Sequence, residues 1–247
     1  MNHHADQKSV LVTGGGSGIG LAIATAFTDA GYRVTISGRN TQKLKATGLD
    51  FVEMDVTSES SVYDAVKAAG PVDIMVANAG AAATAPALKT GRELWDAMVL
   101  TNLTSVYIAA RATAPAMVER GWGRFIAIAS TASLVGYAYT GAYAAAKHGV
   151  LGWIKSLAIE LATTNVTANA ICPGFTDTPL TDDALDAVSA KTGRSREQAL
   201  NAFVKTNPMG RLIKPAEVAA AALWLASEGA ASVNGQAITI DGGEVAS

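Results

Sequence analysis

Apolar residues along this chain gather into short consecutive runs rather than falling at every second position. Ser9-Val10-Leu11-Val12-Thr13, Arg33-Val34-Thr35-Ile36-Ser37, Phe51-Val52-Glu53-Met54 and Asp73-Ile74-Met75-Val76-Ala77 come first. Phe125-Ile126-Ala127-Ile128-Ala129, residues 166–171 and Ala237-Ile238-Thr239-Ile240 follow. Runs of this length, bounded by polar residues or glycine, read as strands buried on both faces. Between them, residues 21–30, 58–69, 92–120, 142–161 and 215–226 read as helices. Strands alternating with helices predict an α/β domain: a parallel sheet of about seven strands, covered by helices on both faces. Right-handed crossovers make it doubly wound. No linker, repeat or low-complexity stretch divides the chain, so residues 1–247 read as one domain. Its one long interruption, residues 176–208, is polar and follows a strand end, which makes it a candidate substrate cover.

Composition narrows the function classes. Of 247 residues, 49% are hydrophobic and 16% charged, which excludes a disordered chain. The formal net charge is −2 and no Lys/Arg cluster forms, so neither nucleic acid nor an anionic membrane is an expected partner. Residues 1–8 are polar and lack the apolar core of a signal peptide. No apolar run reaches the ~18 residues of a membrane span. A cytoplasmic protein is expected. Cys172 is the only cysteine, so no intrachain disulfide can form; before Pro173 it reads as a small buried hydrophobe rather than a reactive thiol. His3 and His4 are adjacent in the polar tail, and no metal site is expected from them.

Two signatures carry the chemistry. Thr13-Gly14-Gly15-Gly16-Ser17-Gly18-Ile19-Gly20 joins the first strand to the first helix. Glycines there let the chain turn sharply and let backbone N–H groups approach a pyrophosphate at a helix N-terminus. The second signature is Tyr143-Ala144-Ala145-Ala146-Lys147, with Ser130 thirteen residues before the tyrosine. Tyr143 and Lys147 stand one helical turn apart on a common face. An adjacent ammonium favours the phenolate, so a Tyr143 pKa below its usual value of about 10 is expected. A dinucleotide cradle beside such a tyrosine points to hydride exchange between a nicotinamide and a carbonyl or alcohol carbon. The same Tyr-x-x-x-Lys spacing recurs at Tyr63 and Lys67, on a surface helix with no serine at that offset; this pair is a decoy.

The spacing Gly14-x-x-x-Gly18-x-Gly20 resembles the short-chain dehydrogenase/reductase family, and the resemblance extends from Val10 to Gly243. Asn78-Ala79-Gly80, Asp55-Val56, Asn102, Pro173-Gly174-Phe175-Thr176-Asp177-Thr178 and Asp241-Gly242-Gly243 match further family marks. The resemblance implies a single-domain Rossmann-type fold and assigns roles. Tyr143 would exchange the proton with the substrate oxygen. Ser130 would hydrogen-bond that oxygen, in preference to the nearby Thr131 and Ser133. Lys147 would tune Tyr143 and hold the nicotinamide ribose, and Asn102 would support a water-linked relay to Lys147. Gly14, Gly16, Ser17, Gly18, Ile19, Gly20, Asp55, Val56, Asn78, Ala79, Gly80, Tyr143, Lys147, Pro173, Gly174, Thr176 and Thr178 would contact the dinucleotide. By family spacing, Gly38 and Arg39 face the adenosine ribose. A guanidinium there suits a 2′-phosphate, with Asn40 and Thr41 adding hydrogen bonds, so NADP(H) is expected in preference to NAD(H).

Among relatives, the resemblance is to 3-oxoacyl reductases, 3-hydroxyacyl-CoA dehydrogenases and ketoreductases. It implies a 3-oxoacyl-CoA-type thioester or a hydrophobic ketone as substrate. An NAD-dependent secondary-alcohol or 3-hydroxy acid dehydrogenase is the alternative, with a catalytically silent NADP-sensing protein and a nicotinamide-using epimerase behind it. Tyr137, Tyr139, Leu134, Phe175 and Leu180 are candidate pocket walls. Gly121 and Thr164 stand where carrier-protein reductases place arginines, although Arg120 and Arg124 are close in sequence. The long helices 92–120 and 142–161, with Trp153 as an exposed aromatic, imply a homotetramer.

Overall fold

The computed structural model describes residues 7–246, so the His3-His4 pair lies outside the described residues. Seven strands form one parallel sheet in the order β3-β2-β1-β4-β5-β6-β7. They are β1 (Ser9–Thr13), β2 (Arg33–Gly38), β3 (Asp50–Glu53), β4 (Ile74–Ala77), β5 (Gly123–Ile128), β6 (Val166–Pro173) and β7 (Ala237–Ile240). Each run of apolar residues supplies both faces. Val10 and Val12 of β1 pack with Ile23, Phe27 and Ile36 on one side, while Leu11 packs with Met75, Phe125 and Val150 on the other. The first side is covered by α1 (Gly18–Asp29) and α9 (Pro215–Ala226), the second by α3 (Glu59–Ala69), α5 (Ser105–Arg120) and α6 (Gly141–Leu161).

Strand order reverses between β1 and β4, whose register pairs Val10 with Ile74 and Val12 with Val76. In an open α/β sheet that reversal leaves a crevice outside the strand carboxyl ends, and the ligand site falls there.

Two elements depart from the expected pattern. A short α2 (Thr41–Lys45) follows β2. The expected helix 92–120 is three pieces: α4 (Arg92–Val99), a π-helical turn at Leu100–Thr104, and α5. The wider turn carries Asn102 into the protein, where it is fully buried. Residues 176–208 hold two helices, α7 (Pro179–Thr192) and α8 (Arg196–Val204). Trp153, expected to be exposed, is half-buried and meets Tyr107 edge-on at 5.3 Å. Among the described residues no helix is long and apolar enough to cross a membrane, and no cluster of His, Cys, Asp and Glu could hold a metal.

Candidate active site

A cavity of about 580 Å³ opens at the carboxyl ends of the strands. Its floor is the glycine turn. Gly14 and Gly18 adopt positive φ, +66° and +54°, and the Gly14 N–H donates to the Ser37 carbonyl at 2.8 Å. Gly20 is needed for close approach, since a Cβ there would lie 2.4 Å from the Gly14 carbonyl oxygen. Asn78 braces the turn from β4: its Nδ2 donates to the Thr13 carbonyl at 2.8 Å, and the Asn78 and Ala79 N–H groups both donate to the Thr13 hydroxyl at 3.0 Å. The N-terminus of α1 has no side-chain cap, and Gly16, Ser17, Gly18 and Ile19 line the cavity there. Uncapped N–H groups at a helix start, lining a cavity, fit a pyrophosphate.

At one end of the cavity stand Gly38, Arg39, Asp55 and Val56. Thr57 donates to Asp55 Oδ1 through its hydroxyl (2.7 Å) and its N–H (2.9 Å). These bonds, with Arg39 nearby, hold the Asp55 carboxyl below its ordinary pKa. Asn40 lines the cavity too; its Oδ1 caps α2 by accepting from the Lys43 N–H at 2.9 Å, which leaves its Nδ2 as the donor toward the cavity end. Lys43, which sequence reading missed, lines the cavity beside Arg39. Its signal was available only in part, as a lysine one turn into a helix too short to show a period.

The other end collects the catalytic candidates. Ser130, Tyr143, Lys147 and Asn102 all line the cavity, as do Ala79, Gly80, Pro173, Gly174, Thr176 and Thr178. Lys147 is buried, and its Nζ donates to the Ile128 carbonyl at 2.8 Å. Asn102 Nδ2 donates to the carbonyls of Ala81 (2.9 Å) and Met98 (3.0 Å), while its Oδ1 accepts from the Ala81 N–H at 3.2 Å. Gly80 lies between the two, because a Cβ there would come within 2.9 Å of Asn102 Oδ1 and 3.8 Å of Lys147 Nζ.

Electrostatics correct one expectation. Tyr143 is raised above its ordinary pKa, by burial, with the Ser130 hydroxyl opposing. Lys147 Nζ stands 5.8 Å from the Tyr143 ring centre, and burial lowers its own pKa to about 8. A lysine spending its nearest bond on a carbonyl, with its charge disfavoured, is a weak lever on the phenol. A bound nicotinamide's positive ring would add the missing pull.

Several neighbours fall away. Ser133 is buried and does not line the cavity; Thr131 does, but lies 2.8 Å from the Tyr137 hydroxyl. Tyr137, Phe175 and Leu180 line the cavity, while Tyr139 and Leu134 do not. Tyr139 has φ +68° and is 64% exposed, its backbone turning the ring outward. Tyr63, the decoy, lies exposed on α3. Cys172 is buried, its thiol pushed up to about 11 chiefly by burial. Arg120 and Arg124 sit at the amino end of β5, engaged with Val72 and Asp73 and with Gly123 and Asn165, away from the cavity.

The family model described as enoyl-(acyl carrier protein) reductase, a short-chain dehydrogenase/reductase model, matches residues 14–244. The chain is a member of the short-chain dehydrogenase/reductase family. This short-chain dehydrogenase/reductase is an oxidoreductase. It is 38% identical to D-beta-hydroxybutyrate dehydrogenase of Cupriavidus necator, over 97% of this chain and 98% of that one. It is 39% identical to 3-oxoacyl-[acyl-carrier-protein] reductase of Mycobacterium tuberculosis, over 96% and 92%. Among solved structures it superposes on a variant of actinorhodin polyketide ketoreductase with NADPH, at TM-score 0.91 and 38% identity, covering 97% of each chain.

Proposed function

We propose that this oxidoreductase transfers a hydride between NADP(H) and a ketone or secondary alcohol, acting on 3-oxoacyl-CoA-type thioesters or free hydrophobic ketones. One observation carries the reading: Ser130, Tyr143 and Lys147 line the same cavity as the uncapped start of α1. The bound nicotinamide supplies or accepts the hydride at the substrate carbon. The Ser130 hydroxyl orients the substrate oxygen, and the Tyr143 hydroxyl gives it a proton in reduction and takes one back in oxidation. Lys147 and Asn102, on either side of Gly80, hold the ribose and a water that replaces the Tyr143 proton.

Arg39 and Lys43 together favour the 2′-phosphate of NADP(H). A solved relative bound to NADPH at 38% identity supports the same preference. The distance of Arg120 and Arg124 from the cavity favours CoA thioesters or free ketones over a carrier-protein substrate. An NAD-dependent 3-hydroxy acid dehydrogenase is the second reading, favoured by the identity to D-beta-hydroxybutyrate dehydrogenase. We also infer self-association as a tetramer, since Ile159 on α6 is 78% exposed and Trp224 on α9 is 44% exposed. A monomeric mass by light scattering at micromolar concentration would refute that.

The deciding assay follows loss of reduced-nicotinamide absorbance, NADPH beside NADH, against acetoacetyl-CoA and a panel of aryl and alkyl ketones. Turnover with NADPH in the wild type and none in Tyr143→Phe, with cofactor binding preserved, is the expected result. Full activity in Tyr143→Phe would overturn the mechanism.

A further inference from the structure

The carboxyl-terminal residues return to the substrate end of the cavity. After β7, the buried Asp241 accepts the N–H groups of Gly243 and Val245, each at 2.9 Å, and so folds the chain back. Gly242 makes the turn at φ +67°, and a Cβ there would lie 2.1 Å from Asn207 Oδ1. Glu244 lands against Tyr137, whose hydroxyl donates to Glu244 Oε1 at 2.7 Å. Oε2 is buried without a hydrogen-bond partner, close enough to Gly174 that a Cβ there would come within 2.9 Å of it. A buried carboxylate oxygen with no partner opposes folding. The one hydrogen bond its side chain makes among the described residues is the one from Tyr137. Tyr137 lines the cavity and meets Phe175 edge-on at 6.1 Å, and Phe175 stacks on Phe203 of α8 at 4.3 Å.

We propose that Glu244 is a positioning residue for the substrate end of the cavity. Through Tyr137 and Phe175 it holds the aromatic wall, and with it α8 of the covering segment, in the place that larger apolar ketones require. The substrate class rests on the function proposed above; the mechanical link from Glu244 to the cover does not. Glu244 does not line the cavity, and its side-chain hydrogen bond goes to Tyr137 rather than to Tyr143 or Ser130, so its effect falls on substrate fit rather than on proton transfer.

The test compares Glu244→Ala, Glu244→Gln and Tyr137→Phe in the NADPH-saturated protein. The glutamine keeps an oxygen that can accept the Tyr137 proton and serves as the conservative rescue. Hydrogen exchange is read across residues 131–137 and 175–204, with β1 and α1 as internal reference. KM and kcat are read for an aryl ketone and a small alkyl ketone. In Glu244→Ala, exchange rises severalfold in both segments and not in the reference. KM for the aryl ketone rises on the order of tenfold, the worth of one hydrogen bond, with kcat within about twofold. Glu244→Gln stays near wild type, Tyr137→Phe reproduces the alanine variant, and the double variant adds nothing further. Unchanged exchange over 175–204, or an equal rise over the whole protein, would overturn the proposal. A wild type that turns over neither acetoacetyl-CoA nor any ketone would sink the function proposed above, and the exchange data would still decide the role of Glu244.

Discussion

Gly20 and Gly141 are both helical glycines, and helix propensity alone favours alanine at each by up to ~1 kcal/mol. The structure separates them. Around Gly141 nothing lies within 4 Å of a built Cβ. At Gly20 the Cβ would sit 2.4 Å from the Gly14 carbonyl oxygen and 2.5 Å from Asn78 Nδ2, where ordinary contact begins near 3.4 Å. About 1 Å must therefore be found by moving the turn off α1 and pulling Asn78 from the Thr13 carbonyl. Overpacking of that kind costs ~1–3 kcal/mol and the lost hydrogen bond ~1. Offset by the propensity gain, the net loss is roughly 1–3 kcal/mol. For a protein of this size that lowers Tm by roughly 3–10 °C. NADPH affinity falls on the order of tenfold or more, because the displaced N–H groups are the ones aimed at the pyrophosphate. Thermal unfolding with and without NADPH, plus a binding titration, reads both effects. Gly141→Ala should stay within about 0.5 kcal/mol of wild type by the same assays. Equal Tm and equal NADPH affinity in the two variants would refute the account of the glycine turn.

Arg39→Ala and Lys43→Ala should each raise KM for NADPH severalfold and leave KM for NADH nearly unchanged; steady-state assays with both cofactors check this, and equal effects would remove the 2′-phosphate assignment. Lys147 makes apo stability depend on pH. Its folded pKa of about 8 lies below the ordinary 10.5, so between those values the unfolded chain binds more protons and stability rises with pH. The raised Cys172 thiol opposes part of this above pH 9, and the raised Tyr143 and Tyr137 oppose it above pH 10, because the folded state then keeps protons the unfolded chain loses. Chemical denaturation of the apo protein at pH 8 and pH 10 should show that gain, absent from Lys147→Met; a gain of the same size in the variant would place its origin elsewhere.

The sheet was legible because buried parallel strands advertise themselves as continuous apolar runs, and all seven runs became strands. Helix α2 was not, since Leu44 is its only buried residue and five residues cannot show a period. The π turn at Leu100–Thr104 was hidden for a related reason: widening one turn inside an apolar helix changes which side chain points inward without changing composition. Spacing read the catalytic candidates into one cavity. It could not say that Tyr139 turns outward through a left-handed backbone, or that burial would act on Tyr143 against the lysine. Facing and dielectric belong to the fold, not to offsets along the chain. Lys43 was missed because the helix that turns it beside Arg39 is too short to show a period, and Glu244 because its partner Tyr137 lies 107 residues away.

The strand order also sets a schedule for the chain as it is made. β1 cannot complete its pairing until β4 arrives, since its second neighbour lies beyond β2 and β3 in the sequence. From β4 onward the sheet grows outward in chain order, one strand at a time, through β5 and β6 to β7. Strands β1 to β4 can thus pair while the catalytic half is still being translated, but their face is closed only later, when α9 packs beside α1. The turn at Asp241, and Glu244 with it, come last. A chain shortened by a few residues at that end would have its full sheet and its glycine turn, yet an unfastened cover. Quality control that senses exposed core would pass such a product, and only its poor hold on large substrates would mark it as unfinished.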